Sequence, residues 1–106
     1  MKTEQILALR CALLIAYSSA EKLKNHDDGG TCNFDTPALI LEGWKEKEVN
    51  EAFKLTGLRA YKVEKNVYHV LGAVEGQGFR RTAMAEAFRN SLKEMGYKAY
   101  VHYRMD

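Results

Sequence analysis

The sequence predicts an α+β domain: a hydrophobic helix, then strand, helix, strand, strand, helix and strand, with the four strands in one antiparallel sheet. Three observations lead there. The first is a segment used twice. Phe53-Lys54-Leu55-Thr56-Gly57-Leu58-Arg59-Ala60-Tyr61 recurs 39 positions later as Leu92-Lys93-Glu94-Met95-Gly96-Tyr97-Lys98-Ala99-Tyr100. Each copy reads as a helix end, a glycine stop and a strand start. The second is a pair of apolar runs, Pro37 to Leu41 and Val67 to Val74, with the composition of central strands. The third is the pair Lys65-Asn66 between two strand-like runs, a tight hairpin in which asparagine tolerates positive φ. Strand, helix, strand, strand, helix, strand is the split βαβ, or ferredoxin-like, plan. It puts the first and third strands in the middle and the second and fourth at the edges.

The elements follow in order. From Thr3 to Lys24, the residues Ile6, Leu9, Leu13, Tyr17, Ala20 and Leu23 fall on one helical stripe, with Thr3 as N-cap. A second apolar set, Leu7, Cys11, Leu14 and Ile15, lies off that stripe. A helix apolar on two sides is covered on both, so either the domain wraps it or a second copy does, and a homodimer through this helix is expected. Asn25 to Thr36 reads as a loop, opened by the breaker cluster Asn25-His26-Asp27-Asp28-Gly29-Gly30. A strand over 37–42 starts at Pro37, where the missing donor does no harm. A second helix over 45–56 turns Val49, Ala52 and Phe53 inward and ends at Gly57. Strands over 58–64 and 67–74 form the hairpin. A third helix over 79–95 carries Met84, Phe88 and Leu92 at four-residue spacing, and the last strand spans 97–104. The chain is thus expected to be one domain over 1–106, with the split βαβ unit over 37–104.

Composition narrows the function classes. At 106 residues, with 46% hydrophobic and 28% charged residues, the chain has the make-up of a folded soluble domain and not of a disordered one. Cys11 and Cys32 form no CxxC pair and no zinc-type spacing, so a reducing cytoplasm, no metal and no cofactor are expected. The apolar run from Cys11 to Tyr17 is far too short to cross a bilayer. Glu4 and the helical pattern through Leu23 set it apart from a signal peptide, and no membrane association is expected. Net charge is +2, but residues 54–106 hold ten Lys/Arg against five Asp/Glu, a basic excess suited to acidic or phosphate-bearing partners.

Alternation sorts the edge strands. Leu58, Ala60, Tyr97 and Ala99 should face the helices, and Tyr61, Tyr100, His102 and Val63 the other side. The expectation is that the N-terminal helix lies across that second face and buries it. If the face is open, its aromatic rings suit stacking on single-stranded RNA, although the third strand lacks the aromatic signature of RNA-recognition modules. Gly76-Gln77-Gly78-Phe79-Arg80-Arg81-Thr82 opens a helix with two arginines and could hold a phosphate, but Arg81 stands where a GxGxxG motif needs glycine. Asp27 to Asp35 could place Cys32 among carboxylates, which disfavour a thiolate; turn chemistry is the expected role. Trp44 is a candidate for core packing or an interface anchor.

The expected function is that of a small non-enzymatic interaction module on a protein or nucleoprotein partner. Size and general character place it beside phage and mobile-element proteins such as the anti-CRISPR inhibitors, with no residue motif carrying the comparison. The candidate contacts are Trp44, Tyr61, Arg80, Arg81, Tyr100 and His102. Nucleic-acid binding through the aromatic and basic face is the first alternative, and a thiol-dependent enzyme the second.

Overall fold

The computed structural model describes residues 3–27 and 29–105. Their order is α1 Thr3–Glu21, β1 Thr36–Ile40, α2 Glu46–Phe53, β2 Arg59–Glu64, β3 Val67–Leu71, α3 Gly78–Glu94 and β4 Lys98–His102. The strands form a single antiparallel sheet in the order β2-β3-β1-β4. The apolar strands β1 and β3 are central. The strands carrying Arg59, Lys62 and Lys98 lie at the edges, where charged side chains discourage pairing with other chains.

Leu39, Tyr68, Val70, Ala60 and Ala99 share the face turned to the helices, because register pairs Leu39 with Tyr68 and Ala99, and Ala60 with Val70. α3 lays Met84, Phe88 and Leu92 on this face, all buried. The short α2 adds Val49, Ala52 and Phe53 near β2.

α1 departs from expectation. It does not lie across the opposite face of the sheet; it packs against both α2 and α3, and its Leu9, Leu13, Ala16 and Ala20 join the same core as Leu39, Tyr68 and Val70. The helical layer therefore has three helices where the split βαβ plan has two. α2 is only eight residues long and of the strands contacts β2 alone, while α1, among the described residues, contacts α2 and α3 and no strand.

Helix ends also differ from the sequence reading. α1 stops at Glu21, and Lys22 to Lys24 follow in tight turns, with Leu23 N–H donating to Ala20 O and Lys24 N–H to Glu21 O. α2 stops at Phe53 and not at Gly57. Leu55 takes a left-handed φ of 67°, unusual for a non-glycine residue, and the chain is held there by Thr56, whose hydroxyl donates to Phe53 O at 2.6 Å and accepts from Leu58 N–H at 3.0 Å. Asn66 has the expected positive φ, 65°, in the hairpin. A bulge between Lys62 and Glu64 takes Val63 out of the regular pairing.

Candidate functional site

Since α1 sits on the helical side, the second face of the sheet is left without a helical cover. Its central row runs across all four strands: Tyr61 pairs with His69, His69 with Ala38, and Ala38 with Tyr100. One row on is His102, opposite Thr36, and its ring stacks on that of His69 with centroids 5.0 Å apart and planes tilted by 38°. Tyr61 is 61% exposed, so its ring offers most of its area to a ligand. Tyr100 and His69 are half-buried and His102 is exposed. Ala38, the smallest side chain of the row, is fully buried at its centre.

The face is mixed in charge and apolarity at its margins. Ile40 pairs with Val67 and Lys98, and Arg59 with Leu71. Lys98 Nζ lies 2.7 Å from Glu42 Oε1, which holds the lysine above and the carboxyl below their usual ranges. The His69 imidazole is kept below the usual histidine range, first by burial and then by His102 beside it. It is therefore neutral near pH 7, able to donate and to accept one hydrogen bond.

Of the sequence candidates, Tyr61, Tyr100 and His102 meet on this one face. His69 is the member that sequence reasoning missed. The alternation of β3 contained it, because Tyr68 and Val70 facing inward leave His69 facing outward. The histidine pair needed the cross-strand register, which no single strand reveals.

Arg80, Arg81 and Trp44 lie elsewhere. Arg80 Nε donates to His26 O at 3.1 Å and Arg81 Nε to Asp35 O at 2.9 Å, so both arginines clamp the 25–36 loop onto the start of α3. The loop also takes a donor of the first helical turn, as Phe79 N–H donates to Gly29 O at 2.8 Å. Gly30, at φ 90°, lies so close to the Phe79 ring that a Cβ would come within 2.9 Å of it. At the candidate phosphate position, Phe79 N–H and both arginine side chains are thus engaged by the protein's own loop. Trp44 is half-buried and packs against the core.

Asp35 anchors the same loop. Its carboxylate accepts from Thr82 Oγ1 at 2.6 Å and from Arg104 N–H at 2.9 Å, and its own N–H donates to Asn33 Oδ1. Asn33 Nδ2 in turn donates to Gly78 O and Thr82 Oγ1. The Cys32 thiol donates to Gln77 Oε1 at 2.5 Å, not to a histidine. A cleft of about 370 Å³ lies here between Cys32, Asn33, Phe79, Thr82 and Tyr103. Its polar groups are directed at one another, the pattern of a structural clamp. Asp28, part of the loop reading, lies outside the described residues.

Among the described residues no group of three or more His, Cys, Asp or Glu is placed to hold a metal ion, and no helix is long and apolar enough to cross a membrane. No protein-family model, curated protein or solved structure matches the chain.

Proposed function

We propose that this protein is a non-enzymatic binding module whose working surface is the open face of its sheet, and that the occupant is a single-stranded nucleic-acid segment, free or displayed on a nucleoprotein. The observation that carries the reading is the row Tyr61, His69, Ala38, Tyr100 on a face with no helix over it. Three strand spacings separate the two tyrosines, about 14 Å, a span for two or three splayed bases. Every base has a face that stacks on an aromatic ring, and such stacking contributes about 1–3 kcal/mol per base. The neutral His69 adds a donor and an acceptor for a base edge, and Arg59 at the rim offers charge to phosphates.

The test is fluorescence anisotropy with labelled single-stranded RNA and DNA of mixed sequence. Binding should appear at low salt, weaken steeply as salt rises, and fall at least tenfold in the Tyr61→Ala, Tyr100→Ala double variant. Absence of binding at low salt would remove nucleic acid as the occupant.

A protein partner on the same face is the second reading, favoured by Ile40, Val67 and Leu71 beside the aromatic row. Tyrosines bordered by aliphatic side chains are also the make-up of a protein interface core. An inhibitor of the phage or mobile-element kind would use the face in this way, and an unchanged pull-down after nuclease treatment would support it.

A further inference from the structure

The solvent side of α1 carries a second surface, directly opposite the stripe that enters the core. Leu7, Leu14 and Ile15 are 46%, 44% and 54% exposed, and Cys11 beside them is exposed as well. Three large aliphatic side chains on one helix face form a patch that a solitary domain normally covers.

The pattern of this face identifies what covers it. Glu4, Ala8, Cys11, Ile15, Ser18 and Lys22 follow one another at alternating spacings of four and three residues, the spacing of a coiled-coil seam, with Leu7 and Leu14 flanking it. The seam reads as its own complement when reversed: in one antiparallel register Glu4 meets Lys22, Ala8 meets Ser18, and Cys11 meets Ile15. Small residues at the Ala8–Ser18 layers allow close approach of the helices. Glu4 in the first turn of α1 and Lys22, one residue past its end but with its N–H still donating to Ser18 O, close the seam about 27 Å apart. Both are exposed, and neither has an ion-pair partner among the described residues. An arbitrary protein partner would not require this reversal symmetry; a two-fold self-interface does.

We infer that α1 pairs antiparallel with α1 of a second copy, with Glu4 of each beside Lys22 of the other. The helical layers then meet back to back and the two open sheet faces point outward, making the dimer bivalent toward a strand long enough to reach both. The dimer does not depend on what the sheet faces bind, because the seam lies on the opposite side of the molecule.

Sedimentation equilibrium of the full chain over a range of concentrations tests this. The wild type should be a dimer, and Ile15→Arg a monomer whose circular dichroism and thermal melt stay native, since Ile15 contributes nothing to the core. Glu4→Lys should weaken the dimer about tenfold, as expected when two exposed ion pairs become repulsive. Adding Lys22→Glu to Glu4→Lys should restore it, which only the antiparallel register predicts. A wild type that stays monomeric at high micromolar concentration, or a dimer unaffected by Ile15→Arg, overturns the inference. A monomer whose α1 face adsorbs to phospholipid vesicles would overturn it in favour of a membrane-surface occupant. Dimerisation without RNA binding would contradict only the sheet-face reading.

Discussion

Asp35 shows how much one side chain decides. It is buried, and it ties together the end of the 25–36 loop, the first turns of α3 through Thr82, and the exit of β4 through Arg104 N–H. Asp35→Ala leaves Arg104 N–H without its acceptor, while the Thr82 hydroxyl still has Gly78 O at 3.2 Å, so urea denaturation should show a loss of about 1–3 kcal/mol. Thr82→Val removes both the bond to Asp35 and the one from Asn33 Nδ2, and should cost a comparable amount. His69 makes a different prediction, about pH. Its imidazole titrates below the ordinary value of 6.5 in the folded protein, because burial and then His102 oppose the charge. The unfolded chain therefore binds the extra proton first as pH falls. The stabilisation is full above pH 6.5 and is lost between there and the lower folded value. Unfolding free energy should therefore rise with pH through that window in the parent protein, and the rise should flatten in His69→Gln. These residue roles were only partly legible in the sequence. Asp35 sat in a stretch of evident turn chemistry, but its partners are 47 and 69 positions away and no local pattern announces them.

At the scale of elements, α1 holds the most instructive difference. Periodicity identified its core stripe, and Leu9 and Leu13 are fully buried, but Leu7, Leu14 and Ile15 of the second apolar set, which the sequence reading expects to be covered, are exposed. What it could not say was which layer the helix joins, since an apolar stripe fits the back of a sheet as well as a gap between two helices. α2 is read as 45–56 but ends at Phe53, because Gly57 offers an attractive stop. Leu55 reached the left-handed region first and ended the helix early. The packing separates two leucines of one helix. Leu13→Ala should destabilise the domain by about 2–5 kcal/mol, with the larger values if the cavity between α2 and α3 does not collapse. Leu7→Ala should change stability by no more than about 0.5 kcal/mol. Chemical denaturation of both variants, at a concentration where the association state is the same, checks the contrast.

The whole molecule joins two surfaces on opposite sides of one core: a sheet face of aromatic side chains and a helix face of aliphatic ones. The doubled helix-glycine-strand segment explains the first of them. Ala60 and Ala99 turn inward at equivalent positions, and Tyr61 and Tyr100 turn outward one residue later, on β2 and β4 at the two edges. That much follows from strand alternation and was legible in the sequence. The openness of the face was not, because it depends on where α1 packs. The central claim is that this face is where the partner sits, and aromatic-region NMR of the protein titrated with single-stranded RNA addresses it most directly. The account predicts that the ring resonances of Tyr61, His69, Tyr100 and His102 shift together in one saturable process while those of Phe88 in the core do not. Shifts confined to the ring of Phe79 at the start of α3, or no shifts at low salt, would contradict it.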